Sequence, residues 1–365
     1  MSAQDEPRAV TIKDVARRAG VGLGTVSRIL NGYENVALQL RQDVFKAIEE
    51  LGYRRNTVAR SMRLGKTHAV GCIVTDIRQP IAAEMVAAAE SVLHEAGYAL
   101  IVASSHNEDG REAEILSLMQ DRVVDGMILA VKRDNDPETV RRLAAIKIPM
   151  VLVERNPDIG FDAVVTRQRA GVRQATEHLL ALGHREIALI GGHPDTWLGR
   201  EQQAGFEEAF ARRKRPLPAG PVFAVGAFGS PELQTLLDGE RRATAIVANI
   251  SEIPGILRFC ARRRLVLPAS LSLVSIGDAD ILEVMTPPIT AVRGDGTKVG
   301  RLAADLLLKR MSGKRRATSS KGLFVPMHLE IRDSSTGPTR DSSVKKAADV
   351  RGRRDAHRPG PAASG

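Results

Sequence analysis

Thr25, Ser27, Arg28 and Asn31 bring two hydroxyls, a guanidinium and an amide into one short stretch of this 365-residue chain. The fork of an arginine matches two acceptors on a guanine edge, whereas hydroxyls and amides suit phosphate oxygens. The chemistry on offer is the reading of duplex DNA rather than bond-making. Thr11-Ile12-Lys13-Asp14-Val15-Ala16-Arg17-Arg18-Ala19-Gly20-Val21 stands just upstream. Ile12, Val15, Ala16 and Ala19 share one helical face. Thr11 can cap that helix, Asp14 favours its positive end, and Gly20 ends it. A second helix is predicted near residues 23–31, burying Val26, Ile29 and Leu30. A third is predicted over 40–51, with Val44, Ala47, Ile48 and Leu51 inward. So small a bundle has a marginal core on its own.

Residues 53–67 are basic and only lightly apolar. An isolated helix of this length is barely populated in water, so the segment is expected to order only on a partner. The formal net charge is +10, of which residues 1–66 carry +5 and residues 334–365 carry +4. The long middle is nearly neutral, so a polyanion is expected to meet the ends.

From residue 69, apolar runs (69–75, 98–103, 124–131, 149–153, 186–190, 244–248, 271–276) alternate with helical stretches (81–96, 111–122, 137–146, 170–182, 200–213, 252–264, 298–311). That alternation implies parallel sheets covered on both faces. The strands are too many for one ordinary open sheet, so two similar α/β lobes are expected. Ligands then bind at the carboxyl ends of the strands, in the cleft between lobes. The expected order is a flexible leader 1–10, an all-α helix-turn-helix DNA-binding domain 11–55, a hinge helix and linker 56–67, and a two-lobed effector-binding and dimerisation domain 68–333. A disordered basic tail, 334–365, rich in Ser, Gly, Pro and Arg, is expected to follow.

Other classes find little support. No apolar run reaches the roughly 18 residues that span a bilayer, so no membrane partner is expected. The opening Met1-Ser2-Ala3-Gln4-Asp5-Glu6-Pro7 has no secretory pattern. Cys72 and Cys260 sit in apolar surroundings and read as buried free thiols in a reducing cytoplasm. Gly191-Gly192 is neither a dinucleotide fingerprint nor a P-loop. His178, His184 and His193 lack metal-ligand spacing, and no Gly-x-Ser-x-Gly elbow occurs. Neither catalysis, nor a cofactor, nor a metal is expected.

The first 66 residues resemble the lactose-repressor (LacI/GalR) family of bacterial transcription regulators. The resemblance rests on Thr11-Ile12-x-Asp14-Val15-Ala16-x-x-Ala19-Gly20-Val21, on Thr25-Val26-Ser27-Arg28-x-Leu30-Asn31, and on Leu51-Gly52-Tyr53-x-x-Asn56-x-x-Ala59-Arg60-Ser61. It continues more weakly to about residue 332 through His178-Leu179-x-x-Leu182-Gly183-His184, Ile190-Gly191-Gly192, Ala248-Asn249 and Thr286-Pro287-Pro288-Ile289-Thr290. It implies a cytoplasmic, nucleoid-associated homodimer with a type I periplasmic-binding-protein-like sensor. Such a dimer binds a pseudo-palindromic double-stranded operator and a small-molecule effector, usually as a repressor.

The resemblance also implies residue roles. Leu23, Gly24 and Arg28 occupy places that read bases; Thr11, Thr25, Ser27, Asn31, Tyr53 and Asn56 occupy places that hold phosphates. Ala59 and Met62 fall in the hinge helix that opens the minor groove, with Met62 in place of the usual leucine wedge. The competing readings are a solvated Arg28, capping roles for Thr25 and Ser27, and a Met62 that packs only on its dimer partner. Gly22 stands where serine is usual, which removes a cap. In the cleft, Asp76, Arg167, Arg200, Gln202, Asn249 and Asp278 are the candidate effector contacts. Gln202 replaces the usual arginine and Gly277 the usual aspartate; Ile81-Ala82 replace an aromatic pair and Thr166-Arg167 an Asp-Asn pair. Sugars need stacked rings and carboxylates, so the expected effector is an acidic molecule facing Arg167 and Arg200. Asn249 as a helix cap, and a cleft that responds to nothing, compete with that. A solute-binding protein of the same core is the rival function, although it would need an export signal and would not need residues 11–66.

Overall fold

The structure is a computed structural model that describes residues 10–30, 33, 35–53, 66–106, 108–121, 124–130, 136–155, 158–218, 222–223, 236–237, 242–313 and 322–338. It divides into two compact units, Met1–Thr67 and His68–Gly365. In the first, α1 (Ile12–Arg18), α2 (Leu23–Leu30) and α3 (Leu38–Leu51) enclose Val15, Val26, Ile29, Val44 and Ala47. The Thr11 backbone N–H and hydroxyl both donate to Asp14 Oδ2, at 2.9 and 2.6 Å. α1 stops where Gly20 takes φ +66°, a left-handed conformation that side chains resist. α2 starts without a side-chain cap: Gly22 offers only its carbonyl, which accepts from Thr25 and Val26 N–H at 2.9 and 3.2 Å. α3 begins earlier than expected, at Leu38, which is exposed and so carries no inward signal.

The second unit holds two six-stranded sheets. The first lobe carries β1 (Ala69–Val74), β2 (Ala99–Ser104), β3 (Gly126–Leu129), β4 (Met150–Val153), β5 (Ala163–Thr166) and the late strand β11 (Gly322–Val325). All are parallel, in the order β11-β5-β4-β3-β1-β2. The second lobe carries β6 (Ile187–Ile190), β7 (Val222–Phe223), β8 (Ala245–Asn249), β9 (Ser272–Ile276), β10 (Thr290–Gly294) and β12 (Met327–Glu330). Their order is β12-β10-β9-β8-β6-β7, parallel except that β12 runs antiparallel to β10. Helices α4 (Pro80–Glu95), α5 (Asp109–Asp121), α6 (Pro137–Ala145) and α11 (Gly296–Met311) pack on the first sheet. Helices α7 (Gln168–Ala181), α8 (Trp197–Arg212), α9 (Ile253–Arg263) and α10 (Asp280–Glu283) pack on the second. Both faces of the central strands of each sheet are buried. On β8, Ala245 and Val247 enter one core while Ile246 and Ala248 enter the other, which is why its sequence is a continuous apolar run.

The chain passes between lobes at 166–168, 294–296 and 325–327. These passes lie side by side: the Arg167 N–H donates to the Val325 carbonyl at 2.9 Å. α7 and α8 approach closely because Gly205 lacks a Cβ, which would stand 2.3 Å from the Arg169 carbonyl oxygen.

Two findings adjust the expected map. Strands β5, β7, β10, β11 and β12 and helix α10 lie outside the predicted runs. Residues 334–338 do not belong to a disordered tail. Ser334 is fully buried, its Oγ accepting from the Thr290 N–H at 2.8 Å and donating to the Leu273 carbonyl at 2.5 Å. Ser and Thr there read as tail composition, yet the hydroxyls of Ser334 and Ser335 and the backbone of Thr336 all find partners in the second lobe. Residues 1–9, Asn31, Asn56, Ala59, Met62, the hinge over 54–65 and residues 339–365 lie outside the described residues. Cys72 and Cys260 are free and buried, and burial pushes their thiols up to about 12 and about 11.

Candidate nucleic-acid interface and effector cleft

α2 turns Val26 and Ile29 into the bundle core, which leaves Leu23, Gly24 and Arg28 exposed. Its basic and apolar contact groups therefore share the solvent side. The Arg28 guanidinium lies 5.9 Å from the centre of the Tyr33 ring, a cation–π arrangement that restrains a long side chain. Tyr33 is tied back in turn: its N–H donates to the Arg28 carbonyl at 3.1 Å and its carbonyl accepts from Arg41 Nη2 at 2.9 Å. Tyr33 escaped the sequence analysis, where its rarity was the available signal, the chain having only three tyrosines. Thr25 and Ser27 are half-buried beside the exposed face. Thr11 spends its hydroxyl hydrogen on Asp14, and Tyr53 packs against the bundle core.

The predicted effector residues of the second unit take different partners. Asp76, just past β1, is gripped by Arg78 through Nε at 3.0 Å and Nη2 at 2.7 Å, and that guanidinium holds its carboxyl below the usual carboxylate range. Arg200 donates to the Pro194 carbonyl at 3.3 Å. Asp278 is committed elsewhere: Arg332 Nη1 and Nη2 donate to its two oxygens at 3.0 and 2.7 Å, and the Ala279 N–H adds a third bond at 2.9 Å. Its expected role as a ligand donor gives way to that of a buried structural ion pair.

Gln202 and Asn249 do meet, within a continuous polar chain. Gln202 Oε1 accepts from the Gly192 N–H at 2.7 Å, and its Nε2 donates to Gln168 Oε1 at 3.1 Å and Asn249 Oδ1 at 3.0 Å. Gln168 Nε2 donates to the Thr166 hydroxyl at 2.8 Å, which donates to Glu154 Oε2 at 2.8 Å. The Thr166 N–H reaches Glu154 Oε1, also at 2.8 Å. The chain thus runs from the carboxyl ends of β6 and β8 across the first interlobe pass to the end of β4. The Glu154 carboxylate sits deep among protein atoms, although the residue keeps some accessible surface, and burial raises its pKa despite the Thr166 bonds. Asn249 precedes a 3-10 turn (Ile250–Glu252) but its side chain does not cap it. Glu154 and Gln168 were not anticipated, because nothing local in sequence marks the partners of a long-range amide. Arg167 points to none of these groups; it stacks on Phe324 of β11, 5.0 Å from the ring centre.

Residues 11–56 match the family described as bacterial regulatory proteins, lacI family. Residues 67–219 match the periplasmic binding proteins and sugar binding domain of LacI family, and residues 176–335 match a periplasmic binding protein-like domain. The HTH-type transcriptional repressor PurR of Erwinia tasmaniensis is 30% identical over 340 residues, spanning 91% of this chain and 98% of that protein. The chain belongs to the LacI family. It is a DNA-binding transcription regulator whose N-terminal helices carry the DNA-reading element and whose two-lobed body is the family's sensor fold. The ribose operon repressor of Escherichia coli K12 is 29% identical over 83% of this chain and 93% of its own length. Among solved structures, the lac repressor dimer bound to operator and the anti-inducer ONPF superposes with a TM-score of 0.79 at 24% identity, over 90% of this chain and all of that one. The transcriptional regulator CelR–cellobiose complex gives 0.67 at 28% identity, over 89% and 100% of the two chains. Among the described residues of this LacI-family chain, no helix is long and apolar enough to cross a membrane.

Proposed function

We propose that this LacI-family regulator represses transcription by gripping a pseudo-palindromic operator as a homodimer, and that it acts by binding alone, without catalysis, on nucleoid DNA in the cytoplasm. Each subunit lays α2 in the major groove, with Leu23, Gly24 and Arg28 at base edges. Thr11, Thr25, Ser27, Asn31, Tyr53 and Asn56 fix register on phosphates, while Ala59 and Met62 belong to the hinge that enters the minor groove. The observation that carries this reading is the exposed stripe on α2, with Arg28 restrained over Tyr33. Arg28→Ala is expected to cost about 1–3 kcal/mol at one guanine position and to leave binding to bulk DNA nearly unchanged. Selection of bound sequences from random duplexes, for the natural protein and the variant, measures this. Equal loss on selected and bulk DNA would reject base readout.

An effector acts on such a body by favouring one arrangement of the two lobes. The floor of the cleft supports a second reading for that position. Gln202 uses both amide hydrogens and its oxygen inside the protein. A ligand that engaged it would first have to break those bonds, so the cleft floor acts as a fixed interlobe brace.

A further inference from the structure

We propose that a cavity beside the first interlobe pass binds a free amino acid with an apolar side chain, its carboxylate on Arg167 and its ammonium on Glu201. The cavity, about 240 Å³, is lined by Thr166, Arg167, Trp197, Glu201, Glu208 and Phe324, together with α7 side chains. It contains Arg167 but none of the other residues expected to hold an effector. Nearly every charge around it is spent. Glu208 takes Arg169 at 3.1 Å, Arg212 at 3.1 Å and Arg173 at 3.6 Å, and Arg173 also pairs with Glu177 at 3.1 Å. Two charges are not. Among the described residues, the Arg167 guanidinium has only the Phe324 ring, and the Glu201 carboxylate has no hydrogen bond or ion pair.

An uncommitted guanidinium alone would take any small anion. An uncommitted carboxylate lining the same cavity repels one. A zwitterion satisfies both, with the planar fork of Arg167 suited to a carboxylate. Apart from those two charges, Trp197 and Phe324 add two aromatic rings to a lining otherwise made of Thr166, Ala170 and the mutually paired Arg169, Arg173 and Glu208, in a chain with one tryptophan and eight phenylalanines. The volume falls below the ~300–1,000 Å³ of most small-molecule pockets, which suits a molecule of amino-acid size. The placement also bears on regulation. Trp197 begins α8 in the second lobe yet packs on the core of the first, and Thr166 and Arg167 form the pass itself. An occupant therefore touches both lobes at their pivot.

The inference goes beyond the operator-binding reading and does not depend on it, because its test uses no DNA. Trp197 is the sole tryptophan, so its emission reports the cavity. Full-length protein is titrated with L-leucine, L-methionine and L-phenylalanine, then with N-acetyl-L-leucine and L-leucinamide, by emission and calorimetry. At least one free amino acid is expected to give a saturable emission change and heat, with both leucine derivatives at least about tenfold weaker than leucine, since each strands one charge. Arg167→Met and Glu201→Gln are each expected to weaken binding to a similar extent with the thermal midpoint preserved. Silence from all three amino acids at millimolar concentration, equal binding of the blocked derivatives, or full binding by either variant overturns the assignment.

Discussion

A carboxylate that accepts two guanidinium N–H bonds and a backbone N–H in a dry setting has little left for a ligand. Asp278, with its side chain 1% exposed, is in that state against Arg332, which also donates to the Ile289 carbonyl at 2.6 Å. Removing one partner of a buried pair leaves the other charge uncompensated, a cost of about 3–5 kcal/mol. Asp278→Ala is therefore expected to destabilise the sensor by that amount, read by denaturant unfolding through Trp197 emission, while leucine affinity of the folded variant stays unchanged. A stable variant with altered ligand affinity would return Asp278 to the binding residues. The same logic separates Gln202 from Arg167: the amide is saturated by protein groups, the guanidinium is not. Residue type and family position nominated both alike, because the sequence carries no record of which partners a polar group finds in three dimensions.

Residues 334–338 illustrate how a segment can be held by groups that titrate. His184 Nδ1 meets the Thr244 hydroxyl at 2.8 Å and its Nε2 meets the Thr336 carbonyl at 2.7 Å; His178 Nε2 meets the Ser335 hydroxyl at 2.9 Å. These bonds pin residues 334–338 to the second lobe. Burial lowers both imidazole pKa values, so the unfolded chain takes up protons before the folded one. The contribution is intact above about pH 6.5, the ordinary histidine value, and is lost as the pH falls through the depressed values. Amide exchange at Thr336, corrected for intrinsic rates, is expected to accelerate on acidification from neutral pH, and His184→Gln is expected to weaken that dependence, leaving the part due to His178. Unchanged protection would assign the docking to Ser334 alone. At this scale the sequence was legible wherever periodicity spans several turns or a whole buried strand: all three N-terminal helices, the long α/β helices and seven strands stand close to their predicted spans. β10, β11 and β12 were not legible because exposed and polar residues interrupt their apolar runs, and β5 because only Ala163–Val165 is apolar between Asp162 and Thr166-Arg167. Residues 334–338 were misread because their composition is that of a loop and the hydroxyls of Ser334 and Ser335 gain partners only from β9, β10 and His178 of α7.

For the whole molecule, the edge of the first sheet offers a face on which two copies can meet. β2 ends that sheet, and an edge strand with exposed apolar side chains is a template for association unless something covers it. Ile101 and Val102 on β2 are 42% and 39% exposed, and Val102 shares a shallow depression with Ile115 and Leu118 of α5. A second copy related by a two-fold axis would cover this face and bring two DNA-reading units to one operator. Joining two half-site readers raises affinity about 10²–10⁴-fold through effective concentration alone. The double substitution Val102→Lys and Leu118→Lys places like charges at the heart of such a contact, yet both side chains are exposed, so the monomer should keep its stability within about 0.5 kcal/mol. Sedimentation is expected to show a monomer, with operator affinity falling by that factor while binding to a single half-site persists. A variant that still sediments as a dimer and holds the full operator would move the pairing face to the second lobe, where Ile281 and Val284 stand 60% and 74% exposed.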